Sequence, residues 1–250
     1  MDQLEILQKY FGYQSFRKGQ ESLISSILRG QDVLGIMPTG AGKSICYQVP
    51  ALMMEGITIV VSPLISLMKD QVTALNQAGI HAAYINGSLT ERQIELALRN
   101  AKNGQYKIIY VAPERLETYG FLDMAVNSNI SMVTVDEAHC ISQWGQDFRP
   151  SYLKIIDFIS KLPKRPVISA FTATATQQVK EDMICILGLE EEGYISKKQL
   201  GIAQSREVTE QGSNFGIRRE WLISQRGTGY EVYHLSKFAQ RGIVRKLIQE

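Results

Sequence analysis

Residues 35–44 read Gly35-Ile36-Met37-Pro38-Thr39-Gly40-Ala41-Gly42-Lys43-Ser44, after an apolar run that starts at Asp32 and before a helix-period segment. A strand, a glycine-rich turn and a helix in that order form the setting that a phosphate-binding loop requires. Gly40 and Gly42 let backbone N–H groups close around a β-phosphate. Lys43 reaches the β- and γ-phosphates, and Ser44 offers a hydroxyl to Mg²⁺. Thr39 and Ala41 complete the candidate nucleotide loop. The strict pattern G-x-x-x-x-G-K-[ST] wants glycine at position 37, where this chain has Met37. The competing reading is an ordinary glycine-rich β–α turn with an incidental Lys-Ser.

Further along, Met132-Val133-Thr134-Val135 runs into Asp136-Glu137-Ala138-His139. An apolar strand ending in adjacent carboxylates suits a second half of the same site. Asp136 can hold Mg²⁺ through its water shell, and Glu137 can orient and deprotonate an attacking water. Alone, Asp-Glu at a strand end reads equally well as a solvated turn or a helix cap. With Lys43 upstream, the pair makes a P-loop ATPase the better reading.

Outward from these segments, β-rich runs alternate with helix-period stretches. Candidate strands are 32–37, 57–61, 82–85, 107–111, 132–135 and 167–171, mostly rich in Val and Ile, as strands buried on both faces are. Leu64, Leu67, Met68, Val72 and Leu75 recur at helical spacing, as do Val179, Met183, Ile186 and Leu187, after which Gly188 suits a helix C-cap. The expectation is an α/β domain of RecA-like type, a mostly parallel sheet with helices on both faces and its ligand at the carboxyl ends of the strands.

With 250 residues, 44% apolar and 21% charged, the chain suits a globular fold of one large domain or two small ones and excludes disorder throughout. No apolar run approaches the ~18 residues of a membrane helix, and the N-terminus has no basic-then-apolar leader pattern. A cytoplasmic protein with no membrane partner is expected. Cys46, Cys140 and Cys185 stand alone, so no zinc site is expected. The net charge of +2 is unevenly distributed: residues 1–192 hold 17 Lys and Arg against 20 Asp and Glu, residues 193–250 hold 10 against 5, and no proline follows Pro166. A boundary near residue 190 is expected, with a RecA-like lobe over 1–190 and an atypical basic tail over 191–250.

The segment from Asp136 to Tyr152, DEAHCISQWGQDFRPSY, closely resembles the second helicase motif and aromatic-rich loop of RecQ-family DNA helicases. Its PTGAGKS loop is similar to the helicase form of the phosphate loop. FGYQSFRKGQE (11–21), VSPLISLMKDQV (61–72), YVAPERL (110–116) and FTATAT (171–176) match further family motifs in order. The resemblance implies an ATP- and Mg²⁺-dependent 3′–5′ DNA helicase of DNA repair and recombination, with Lys43, Asp136 and Glu137 catalytic. It implies that Tyr13 stacks on adenine, Gln20 bonds the base edge, Arg17 helps hold the nucleotide and His139 bridges to the third motif. Ser62, Pro63 and Arg115 would lie along the DNA backbone, and Thr172 and Thr174 would link the nucleotide and DNA sites. Read from the residues alone, Tyr13 and Phe16 suit core packing, and the remaining segments suit ordinary strand-end turns.

The loop 142–150 has its own rationale, since Trp144, Phe148 and Arg149 fall within six residues right after the carboxylate pair. Bases of a single strand can stack on such aromatics at ~1–3 kcal/mol each, with the arginine on phosphate. The bland alternative is an aromatic cluster packed under a loop. Gln146 stands where most of the family has His, and a neutral amide cannot shuttle a proton, which weakens the expected coupling. A family helicase has two such lobes, and no Q-x-x-G-R-A-G-R-like segment follows residue 190. The chain by itself is therefore expected to bind Mg·ATP and single-stranded DNA as a monomer, to hydrolyse slowly and not to unwind. Single-strand-binding or repair proteins are partners by resemblance alone. Three readings of the tail stay open: a basic extension using Arg218, Arg219, Arg241, Arg245 and Lys246, a shift of reading frame near Leu189, and fusion to a small unrelated domain. Two other classes also stay open, a non-unwinding ATP- and DNA-binding module and an RNA helicase lobe.

Overall fold

In the computed structural model, which describes residues 1–145, 147–189, 217–222 and 230–235, the Val- and Ile-rich runs are strands. They are β1 (Val33–Ile36), β2 (Ile57–Val61), β3 (Ala82–Ile85), β4 (Ile108–Val111), β5 (Ile130–Val135) and β6 (Val167–Thr172). Every expected strand is present; β2 and β3 have the expected bounds, and the other four have ends shifted by one or two residues. The six pair in parallel in the order β3-β4-β2-β5-β6-β1.

Burial on both faces explains the continuous apolar runs. Ile57, Ile59 and Val61 point into one core with Ile109, Val111, Val133 and Val135, while Val60 points into a second with Ile108, Tyr110, Met132 and Phe171. The first core is closed by α5 (Glu91–Lys102), α6 (Tyr119–Val126), α7 (Lys154–Ser160) and α8 (Gln177–Leu187), the second by α2 (Gln20–Leu28), α3 (Lys43–Met53) and α4 (Ile65–Gln77). Helix α1 (Gln3–Phe11) packs Ile6 and Leu7 against Ile24, Ile45 and Val49. A capping box of Asp2 and Glu5 starts it, and Gly12, at φ 73°, ends it. The expected C-cap of α8 is also present, Gly188 at φ 54°. No helix among the described residues is long and apolar enough to cross a membrane.

At the amino ends of the strands a buried carboxylate ties three elements together. Asp32 accepts from Arg165 Nη2 at 2.6 Å and from the Ile168 amide at 2.8 Å, and the same Arg165 nitrogen donates to the Gly188 carbonyl at 2.8 Å. One ion pair thus fixes the starts of β1 and β6 to the end of α8.

Beyond residue 190, where no strand is expected from sequence, β7 (Ile217–Leu222) and β8 (Tyr230–Leu235) form an antiparallel pair, and β8 runs antiparallel to β1. Arg218 and Arg219 of the expected basic arm fall on β7. Arg241, Arg245 and Lys246 lie outside the described residues, as does Gln146.

Candidate active site

The chemistry-bearing turns follow β1, β2, β4, β5 and β6, all at the carboxyl edge of the sheet, where a doubly wound sheet takes its ligand. After β1 the chain makes two left-handed turns at Gly40 and Gly42, both at φ 81°, and Gly42 then caps α3. Glycine is favoured at 42 by its left-handed φ, and a Cβ there would push against Gln20 Nε2 at 2.6 Å. The open amides of the first α3 turn face a cavity of about 320 Å³ lined by Tyr13, Arg17, Gln20, Thr39, Gly40, Gly42, Lys43, Ser44, Asp136 and Glu137. All but two of the residues expected at the nucleotide thus meet at one place. Of those two, Ala41 is buried within the loop, and His139 stands behind Glu137.

Gln20 and Arg17 clasp the phosphate loop. Gln20 Nε2 donates to the Ala41 and Gly42 carbonyls at 3.2 and 3.1 Å, while its Oε1 accepts from the Arg17 amide at 2.8 Å. Arg17 Nη1 donates to the Gly40 carbonyl. In this arrangement the Gln20 amide, expected on the edge of an adenine base, is committed to the loop itself. Tyr13, by contrast, is 51% exposed and lines the cavity. Met37, the departure from the strict loop pattern, is buried beneath the loop, 3.7 Å from Cys46 Sγ. Its side chain fastens the loop to the second core.

Across the cavity, Lys43 Nζ is 3.5 Å from the Met37 carbonyl and 4.0 Å from Glu137 Oε1. Asp136 is 6% exposed, with Oδ1 accepting from the Glu137 amide at 3.1 Å and Oδ2 from the Ser62 hydroxyl at 3.4 Å. Burial, helped by the neighbouring Glu137 carboxylate, pushes the Asp136 carboxyl up to about 6, against the pull of Lys43 and Ser62. A buried carboxyl beside a second carboxylate fits a divalent cation, which would remove that penalty. Ser44 and Asp136 supply oxygen donors to one cavity. Among the described residues no group of three or more acidic, His or Cys side chains could hold a metal unaided. The Ser44 hydroxyl and the Asp136 carboxyl fit Mg²⁺, which takes one or two carboxylates and completes its shell with phosphate and water.

Glu137 is the one described non-glycine residue with positive φ, at 48°. This left-handed turn costs of order 1 kcal/mol or more and swings the carboxylate back toward Lys43. His139 Nδ1 lies 2.8 Å from Thr172 Oγ1 and 3.4 Å from Glu137 Oε2. Thr172 Oγ1 also lies 3.1 Å from the Thr174 carbonyl, so the end of β6 holds the imidazole that backs Glu137.

The residues expected on DNA fall into two groups. Ser62 and Thr172 are buried, with hydroxyls turned inward on Asp136 and His139. Thr174 is exposed, and Arg115 is half-buried on the single helical turn Pro113–Arg115 after β4. Trp144 is 67% exposed, Phe148 half-buried, and Arg149 Nη1 donates to the Pro63 carbonyl at 3.4 Å, joining the aromatic loop to the turn after β2.

Several residues of the site were not singled out by their sequence. Tyr47 and Gln71 line the cavity, Tyr152 donates to the Asp136 carbonyl at 2.9 Å, and Asp182 holds Ser142. Tyr47 and Tyr110 lie 3.3 Å apart oxygen to oxygen, and Gln48 bridges Tyr110 and Gln71 at 3.0 Å each. Burial pushes the Tyr110 phenol up to about 12, so the network is neutral.

A parallel sheet, a phosphate loop and an acidic pair at one edge define a P-loop nucleotide-hydrolysing domain. The chain belongs to the DEAD/DEAH box helicase family, whose model matches residues 17–182. It is 51% identical over 191 residues to the ATP-dependent DNA helicase RecQ of Bacillus subtilis (strain 168), covering 76% of this chain and 32% of that one. It is 47% identical over 186 residues to the ATP-dependent DNA helicase RecQ of Haemophilus influenzae, covering 74% and 30%. The chain thus spans about a third of the length of these relatives. A crystal structure of the DUF1998 helicase MrfA bound to DNA and AMPPNP superposes with a TM-score of 0.61 at 17% identity, over 76% of this chain and 28% of that one, and shares the fold.

Proposed function

We propose that this chain is the ATP-binding motor lobe of a RecQ-type helicase that moves 3′ to 5′ on DNA. The observation that carries the reading is the convergence of Gln20, Lys43, Ser44, Asp136 and Glu137 on one cavity from three separate parts of the chain. The loop amides and Lys43 bind and orient the triphosphate. Glu137 accepts a hydrogen bond from a water aimed at the γ-phosphorus. It takes the proton as the new P–O bond forms and the bond to the β–γ bridging oxygen breaks. His139, held on Thr172 Oγ1 at 2.8 Å, backs the Glu137 carboxylate at 3.4 Å. Mg²⁺, when bound, neutralises charge on the β- and γ-oxygens, and Ser44 and Asp136 would hold it, Asp136 through water.

Single-stranded DNA crosses the loop 142–149, with bases on Trp144 and Phe148 and phosphate on Arg149. Fluorescent-nucleotide binding and ATPase assays with and without an oligothymidylate test the reading. Tight Mg·ATP binding, lost in Lys43→Ala, and turnover raised by single-stranded DNA more than by RNA are expected. Hydrolysis indifferent to DNA would remove the DNA-motor part of the reading, and absence of nucleotide binding would remove all of it.

A further inference from the structure

The aromatic loop is held from an unexpected side. Ser142 is buried, and its hydroxyl lies 2.5 Å from Asp182 Oδ2 on α8. Because that hydroxyl proton goes to the carboxylate, the oxygen's lone pairs are free to accept, and the Trp144 amide donates to it at 3.1 Å. The Gly145 amide donates to the Ser142 carbonyl at 3.0 Å, closing a turn in which Trp144 is the third residue. Gly145 itself is pressed onto the catalytic segment, since a Cβ there would lie 2.5 Å from the His139 carbonyl. The backbone of Trp144 is thus fixed from both ends of the turn, while its indole stands 67% exposed. An exposed aromatic on a clamped backbone is a preorganised stacking platform, which loses less freedom when a base binds.

We propose that Asp182 is a positioning residue for the aromatic loop. Through Ser142 it sets the backbone of Trp144 and so presents the indole to a base of single-stranded nucleic acid, a role that rests on the DNA-binding reading above. The contact joins residues 40 apart in sequence and reaches the loop from the helix that follows FTATAT. Asp182 touches neither the nucleotide cavity nor the carboxylate pair, so its effect is confined to the loop.

The test uses the 250-residue chain carrying Trp221→Phe, which leaves Trp144 as the single tryptophan. Time-resolved anisotropy of Trp144 is measured without ligand and during titration with an oligothymidylate, alongside fluorescent-nucleotide affinity. Asp182→Ala and Ser142→Ala should each add a fast anisotropy component to the unliganded protein. Each should weaken oligothymidylate binding about tenfold, the equivalent of about 1.4 kcal/mol, and leave nucleotide affinity unchanged. The two changes should not add, because they break one chain of contacts. Asp182→Asn, which still accepts from Ser142, should recover binding to within about threefold of the parent. Parental anisotropy and oligothymidylate affinity in Asp182→Ala would overturn the proposal, and so would an equal loss of nucleotide affinity, which marks a general folding role. If the parent itself fails to bind the oligothymidylate, the DNA-binding reading falls instead, and the unliganded anisotropy alone decides the anchor.

Discussion

The side-chain amide of Gln20 donates to two successive carbonyls of the phosphate loop, so the shape of the cradle depends on it. Gln20→Ala removes both bonds, each worth about 1 kcal/mol. Nucleotide affinity in a fluorescence titration should fall about tenfold, with a parallel loss of thermal stability in the absence of nucleotide. A residue that bonded the base alone would leave the ligand-free melting point unchanged. Asp136 gives a different signature. Its folded value of about 6 lies above the ordinary 3.8, so between these values the folded state binds protons more tightly than the unfolded state. Stability of the ligand-free protein should therefore fall as pH rises from about 4 to 6 and stay lower above that window. Asp136→Asn should raise ligand-free stability at pH 7 by at most about 3 kcal/mol in urea unfolding and bring no gain at pH 4, while abolishing hydrolysis. Mg·nucleotide affinity of the unaltered protein should weaken as pH drops below about 6, when Asp136 takes up a proton that a cation must displace.

At the scale of elements, the strands were legible because each carries a short Val- and Ile-rich run. β2, with five buried residues in a row, could be little else in a globular chain. The pair β7 and β8 carries no such run; Arg218, Arg219 and Glu220 stand in the middle of β7, and nothing local marks them as strand. The site divides in the same way. Lys43, Asp136 and Glu137 announce themselves by the strand ends they follow. The inward turn of the Ser62 and Thr172 hydroxyls depends on partners in other strands, and the Asp182 to Ser142 contact depends on how α8 lies over the loop, which no spacing encodes. Arg165 is of the same kind, an ordinary surface residue by sequence that closes a buried ion pair with Asp32, itself 1% exposed. Arg165→Ala removes the cation paired with that buried carboxylate, and should cost about 3 kcal/mol in chemical denaturation. Asp32→Asn combined with Arg165→Met should recover part of that loss, since removing both charges is cheaper than stranding one.

For the whole molecule, the cavity predicts a stability that nucleotide controls. At a Mg·nucleotide concentration a hundredfold above Kd, folding should gain about 2.7 kcal/mol, read as a rise in melting temperature that Lys43→Ala abolishes. The order of the strands bears on what such a lobe can do mechanically. β4, β2 and β5 are consecutive in the sheet, so the turns that carry Arg115, Ser62 and Asp136 stand side by side at its edge. Neighbouring strands are held about 4.8 Å apart by their backbone hydrogen bonds. The spacing between Asp136, the carboxylate proposed for Mg²⁺, and the Arg115 turn, proposed for the nucleic-acid backbone, is therefore a ruler length of about 10 Å, set by peptide geometry and stiff against load. A sheet of this kind cannot take a step by stretching. Any stroke driven by hydrolysis has to be a rotation of the whole lobe as one lever, or a swing of the loop at Trp144 pivoting where Asp182 and Gly145 pin it down.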